Sequence, residues 1–288
     1  MDLSWKAANS TTWVPLKLPR YLVQRIEGLG GVEVDLQTGR SPNQDGVTLL
    51  DQILGPRQIS IHMVVFGPTV QSFKNARSQL HEMLNPKLGV GVLRVEHDGS
   101  VYRLEAVADG SPFWVPDSRG LKHQEVMIHL MAPTPFFMGG EASKGLYLVG
   151  ADGGLTFAAQ FPVQFSVLSS TDDLFNYGHV DTPIEITFYG PATEPRVDNV
   201  TTGKHIEVIQ PLLAGEYLKI NTRFGNKSVL LHDVNGDVTN AMHYITMESE
   251  FWQLIPGNNT LTYYAAVGES GPGDAMVEIA YDERYLGV

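Results

Sequence analysis

The sequence predicts a mostly β protein of two domains, with one α-helix in the first and a sandwich or jelly roll in the second. Three observations lead there. Short runs of alternating apolar and polar residues fill most of the chain and are punctuated by Gly, Pro, Asn and Asp, the pattern of strands and turns. Only Gly67–Pro86, GPTVQSFKNARSQLHEMLNP, carries a helical period. A chain of 288 residues is long for one β domain and comfortable for two, at about 100–200 residues per domain.

Taken in order, residues 1–20 hold Trp5, Trp13, Pro15 and Pro19 in an irregular polar context and read as an arm or peripheral segment whose tryptophans need a surface to lie on. Val32–Leu36 alternates, and Asp45-Gly46 is a turn signal. Gln58–Phe66 puts Ile59, Ile61, Met63 and Val65 on one face, as in a half-buried strand. In the helix, Val70, Phe73, Ala76, Leu80, Met83 and Leu84 share one face, while Lys74, Asn75, Ser78, Gln79 and Glu82 take the other. Pro68-Thr69 suits its start and Asn85-Pro86 its stop, because proline disfavours helical geometry in the residue before it. A lone helix among strands must lay its apolar stripe on a sheet, which makes it the centre of the first domain.

Beyond the helix, Gly91–His97 and Val101–Ala108 flank Asp98-Gly99, a hairpin signal, because that pair tolerates positive φ. His123–Met131 alternates again. Pro133-Thr134-Pro135-Phe136-Phe137 cannot continue a central strand, which places the boundary near Met138 and divides the chain into 1–138 and 139–288. The second part is expected to run as strands at Gly145–Val149, Leu155–Phe157, Val163–Leu168, Pro183–Tyr189, His205–Val208, Tyr217–Asn221, Ser228–Leu231, Phe251–Leu254, Thr260–Ala265 and Met276–Tyr281. Asn235-Gly236 and Pro256-Gly257 mark turns among them.

Composition narrows the function. The 43% apolar and 18% charged fractions are those of an ordinary globular chain. No apolar run approaches the roughly 18 residues of a membrane span, and MDLSWKAANSTTW lacks the basic and apolar regions of a secretion signal, so neither membrane insertion nor export is expected. With 20 Lys and Arg against 32 Asp and Glu, the net charge of −12 opposes a sequence-independent grip on nucleic acid. Zero cysteines remove disulfides, thiolate metal sites and cysteine nucleophiles together.

No catalytic or cofactor constellation emerges. The nine histidines lack metal-ligand spacing, and His62 and His129 sit inside strands as structural residues. Asp233-Val234-Asn235-Gly236-Asp237 spaces oxygens around a glycine as a calcium loop would, but the downstream glutamate is not in place, so a hairpin turn is the better reading. Asp172-Asp173 has no partner carboxylate that spacing alone identifies. Gly28-Leu29-Gly30-Gly31 lacks the spacing of a phosphate loop and reads as a turn. No cofactor, metal or catalytic residue is expected.

At TPIEITFYGPATEPRVDNVTTG (182–203), GEYLKINTRFG (215–225), FWQLIPGNNTLTY (251–263) and YDERYL (281–286), the sequence resembles the distal tail proteins of long, flexible-tailed, siphovirus-type bacteriophages or prophages. The strand 58–66, the helix and LNPKLGVGVLRVEHDG (84–99) are similar to that family's first domain. The resemblance runs from about residue 55 onward, and residues 1–54 match less well. It implies an N-terminal belt domain of β-sandwich type with one α-helix and a C-terminal galectin-like β-sandwich. It also implies a homo-hexameric ring at the distal end of the tail, assembled in the host cytoplasm and passing DNA through its channel. Its partners would be the tail tube protein, the tail-associated lysin or baseplate hub protein and, at the periphery, receptor-binding machinery. The family is structural, not enzymatic.

Within that picture Lys74, Arg77 and Glu82, on the helix flanks, are expected at the ring contact, and acidic side chains are expected to outnumber basic ones around the hole. The competing reading is a carbohydrate-binding module for the host wall. There, exposed aromatics of the second domain would stack on sugars, with Tyr189, Trp252 and Tyr264 as candidates and Phe224 and Tyr263 also available. Phe251 and Leu254 beside Trp252 argue instead for a core strand.

Overall fold

A computed structural model of the chain describes residues 1–147, 168–266 and 275–288. Its contacts fall into two units, Met1–Gly140 with Arg284–Val288, and Glu141–Glu283. The last five residues thus belong with the first unit, which no single cut near Met138 anticipates.

The first unit begins with β1 (Asp2–Lys6), β2 (Val14–Pro15), β3 (Tyr21–Glu27), β4 (Val34–Gly39), β5 (Thr48–Leu54) and β6 (Arg57–Phe66). Helix α1 (Val70–Met83) is followed by β7 (Gly91–His97), β8 (Ser100–Ala108), β9 (Phe113–Trp114) and β10 (His123–Ala132), and β11 covers Phe137–Tyr147. Antiparallel pairs link β3, β6, β10, β8, β7, β1 and β2 in that spatial order, with β9 on β10. The register from His123↔Phe66 to Ala132↔Arg57 brings Val126, Ile128 and Leu130 onto the same face as Met63, Ile61 and Ile59. All six are buried, so the period-two pattern of two strands becomes one floor.

The helix lies on that floor through Phe73, Ala76, Leu80, Met83 and Leu84, all buried. Val70, expected on the same stripe, is 44% exposed. It is the first helical residue, a turn ahead of Phe73, and so stands off the packed face. Thr69 caps the start, its Oγ1 accepting the Ser72 N–H at 3.1 Å. Leu84 ends the helix and Pro86 opens a short 3₁₀ turn. Gly67 makes the corner possible, because a Cβ there would lie 2.3 Å from the Phe73 nitrogen.

The first residues depart from the expected peripheral arm. Strand β1 pairs with β7, and Leu3, Trp5 and Ala7 are buried in the core. The Trp5 Nε1–H donates to the Met83 carbonyl at 2.9 Å, which satisfies a last-turn oxygen of α1 that has no partner within the helix. Trp13 lies under the cations of Lys6 and Arg94, at 5.1 and 5.8 Å. The β7–β8 hairpin forms where the sequence puts it, with Asp98 and Gly99 at φ of 48° and 81° between the partners His97 and Ser100.

The second unit contains β12 (Leu168–Asn176), β13 (Thr182–Tyr189), β14 (Thr193–Asn199), β15 (Lys204–Glu207), β16 (Tyr217–Asn221), β17 (Ser228–His232), β18 (Val238–Asn240), β19 (Gln253–Leu254), β20 (Gly257–Ala266) and β21 (Met276–Tyr285). One sheet includes the order β18-β17-β16-β13-β21, with β19 on β13, and the other runs β12-β20-β14-β15. Ile184, Ile186, Phe188, Leu218, Ile220, Val277 and Ile279 of the first share a core with Val197, Ile206, Leu261 and Tyr263 of the second. This is the two-layer packing of a β-sandwich.

Strands β12, β14 and β18 are additions to the expected list, and Phe251–Leu254 contributes only Gln253–Leu254. The expected strand Leu155–Phe157 lies outside the described residues, as do parts of Gly145–Val149 and Val163–Leu168. Asp233 confirms the turn reading of 233–237. Its Oδ1 accepts the N–H groups of Asn235 and Asp237 at 2.8 and 2.9 Å, and those bonds hold its carboxyl below the usual carboxylate range.

Candidate functional site

The exposed features of the first unit are surfaces. An apolar one is the β4–β5 hairpin, which forms its own two-stranded sheet. Its partners Val34↔Leu54 and Leu36↔Gln52 share one face, and beyond a register shift the pair Thr38↔Leu49 continues it. The other face holds Asp35, Gln37, Asp51 and Ile53. Val34, Leu36, Leu49, Leu50 and Ile53 are all exposed, Leu50 by 68%. The tip is braced from within, the Gln44 side chain bonding Ser41 N at 3.0 Å and Thr48 Oγ1 at 2.9 Å. A two-stranded ribbon is marginal on its own in water, and an amphipathic one leaves an apolar stripe to be covered. Sequence reasoning found the alternation at Val32–Leu36 and the turn at Asp45-Gly46 but not the returning strand. Its signal was there in Leu50, Gln52 and Leu54.

The helix flank is built differently from its expected form. Lys74 and Glu82 are exposed and stand two turns apart on one stripe. Arg77 turns toward β9, its guanidinium 4.2 Å from the Trp114 ring and 5.8 Å from that of Phe73. Burial, and then the charge of Arg119, push its pKa down. The Trp114 Nε1–H donates to His81 Nε2 at 2.9 Å, so that imidazole nitrogen is the unprotonated acceptor. Arg77 is therefore a stacked cation packed on its own unit, while Lys74 and Glu82 remain open surface.

The aromatics named for sugar stacking do not form one platform. Trp252 is 2% exposed and Tyr263 is fully buried, both in the sandwich core. Tyr189 stands on the outer face of one sheet, its hydroxyl donating to Glu278 Oε2 at 3.0 Å. Tyr264 stands on the outer face of the other, opposite Arg196, which is paired with Asp198 at 2.6 Å. Phe224 is exposed. Core packing claims Trp252 because its large ring fills space between the sheets.

No three His, Asp or Glu side chains gather as a metal site requires among the described residues. Asp173 instead accepts from Thr260 Oγ1 at 2.7 Å, and His129 Nδ1 bonds Ser60 Oγ at 3.0 Å. One side chain with consequences for the unit escaped the sequence reading. Arg57 is 1% exposed and donates to four carbonyls, of Pro135 at 2.7 Å, Gly28 at 2.5 Å, Gly31 at 3.1 Å, and Leu286. Its guanidinium also lies 4.8 Å from the Phe137 ring, and burial pushes its pKa down. The signal was parity, since Arg57 is in phase with Ile59, Ile61 and Met63 and so had to point inward.

The fold is that of a two-unit antiparallel β protein, with an exposed apolar hairpin and an exposed charged helix flank in its first unit. Residues 177–285 match the family model described as siphovirus-type tail component, C-terminal domain. No curated protein sequence matches the chain. The crystal structure of the Dit protein of phage SPP1, described as a paradigm of the hub adsorption apparatus in phages infecting Gram-positive bacteria, aligns at a TM-score of 0.69 and 14% identity, covering 99% of each chain. A chain of the phage P2 baseplate in its activated, calcium-containing conformation aligns at 0.55 and 10% identity over 100% of each. Residues 177–285 thus match that family's C-terminal domain, and the fold of the SPP1 Dit structure runs along the length of the chain.

Proposed function

We propose that the chain is the structural hub at the distal end of the tail. Copies form a closed, hexameric ring whose first unit is the belt around the channel and whose second unit, the galectin-like sandwich, projects outward. One face of the ring docks the tail tube protein and the other the tail-associated lysin or baseplate hub protein, with receptor-binding machinery at the periphery. The protein catalyses no reaction. The observation that carries this reading is the fold match over 99% of both chains to a protein described as an adsorption hub. The exposed apolar hairpin supports it, because a solvated ribbon of that composition is an incomplete surface.

A ring of identical subunits joins two different surfaces of each copy and closes by rotation. Electron micrographs of the purified protein are expected to show six-membered rings with a central hole, and light scattering the corresponding mass. A monomer at every concentration tested would overturn the proposal. Reversing the charges at Lys74 and Glu82 is expected to weaken the ring. An unchanged oligomer would remove those two residues from the contact.

A further inference from the structure

We infer that the β4–β5 hairpin of one copy seats its apolar face in a groove beside α1 on the next copy. This inference rests on the ring proposed above and names the two surfaces that meet. The groove, about 740 Å³, is lined by Leu18, Leu22, Phe66, Pro68, Ala76 and Gln79 among others. That volume falls within the roughly 300–1,000 Å³ of sites that enclose apolar groups. Its lining is mainly apolar, yet no hairpin residue lines it within the same copy. Each chain therefore carries an apolar projection and an apolar recess that do not satisfy one another.

Backbone geometry points the same way. Among the described residues β3 pairs only with β6, so its outer edge is open, and Leu22 of β3 borders the groove. Strands β4 and β5 pair only with each other and keep one open edge each. Open edges present rows of unpaired N–H and C=O groups, and an incoming strand satisfies both rows at once.

Charge selects the orientation. The hairpin segment carries Glu33, Asp35, Asp45 and Asp51 against Arg40 alone. At the groove, Arg20 donates to the neutral Gln79 Oε1 at 3.1 Å and has no carboxylate in an ion pair among the described residues. An acidic ribbon entering an apolar recess with the Arg20 cation in its lining gains attraction from the polar face while the other face is buried.

The absence of cysteine makes the test clean. The full chain carrying Leu49→Cys and Gln79→Cys together, purified and oxidised, is expected to give a ladder of disulfide-linked multimers ending at the ring size on a non-reducing gel. Either single variant should give no ladder. Leu36→Asp, at an exposed position that leaves the fold intact, is expected to weaken assembly roughly 30-fold or more, the scale of losing an interface anchor. A ring that forms in the double variant without cross-links, and persists in Leu36→Asp, overturns this docking while leaving the hub reading standing. A chain that never assembles overturns both.

Discussion

At the scale of single residues, Arg57 shows how a charge can be buried without a counter-ion. A guanidinium offers five N–H donors in a fixed plane, and here they reach four carbonyls on three separate stretches of chain, Gly28–Gly31, Pro135 and Leu286. Lysine, a compact ammonium with three donors, cannot span them. Arg57→Lys is expected to destabilise the protein by about 2–4 kcal/mol, since buried carbonyls left without donors cost about 1–3 kcal/mol each, and thermal unfolding would read the loss. Asp233 gives the opposite, exposed case. Its carboxyl pKa is depressed in the folded state by the N–H of Asp237. The stabilisation is present above the unfolded carboxylate pKa and is lost as pH falls through the lower folded value. Hydrogen exchange at the amides of Asn235 and Asp237 should accordingly accelerate in acid, below the normal carboxylate range. Exchange independent of pH once intrinsic rates are removed would contradict this. The turn was legible from Asn235-Gly236, whereas the Arg57 clamp was not, because all four of its acceptors are backbone atoms that no side-chain pattern announces.

Among the elements, α1 is the piece most fully legible in the sequence. Its period, cap and stop all appear in 67–86, and only Val70 is misplaced. Tertiary packing supplies what the helix cannot supply alone, so Leu80→Ala, at a position with no exposed surface, is expected to cost about 2–5 kcal/mol in chemical denaturation. Strand β1 was illegible for a reason of length. Leu3, Trp5 and Ala7 alternate over five residues, too short a run to stand out from the polar residues around it, and pairing with β7 decides the matter. The same limit hid β14, where Pro195 and Arg196 interrupt the apolar signal. For the sugar-stacking alternative, Phe251 and Leu254 beside Trp252 already pointed to a core strand, and Trp252 is indeed buried. Trp252 went to the core because a sandwich needs volume between its sheets.

For the whole molecule, the decisive quantities are charge and the pairing of unlike surfaces. A net charge of −12 on each copy works against any assembly that does not bury compensating contacts. In the ring proposed above, the same charge suits a channel through which phosphates pass without sticking. We expect carboxylates to outnumber basic groups around the hole, and the assembled ring to retard no duplex DNA in a gel at low salt, where phosphate binding is strongest. Salt-sensitive retardation would contradict that expectation.

The buried cation also has a bearing on timing. One of its four acceptors, the Leu286 carbonyl, is 229 residues away along the chain, and the Val288 N–H closes on the Leu29 carbonyl nearby. A polypeptide leaving the ribosome from its first residue presents the hairpin and the helix long before it presents those two groups. Until then Arg57 lacks part of its shell, and the first unit sits below its final stability. In the ring proposed above, we expect closure to be an event of completed subunits, because a nascent chain still lacks those two groups.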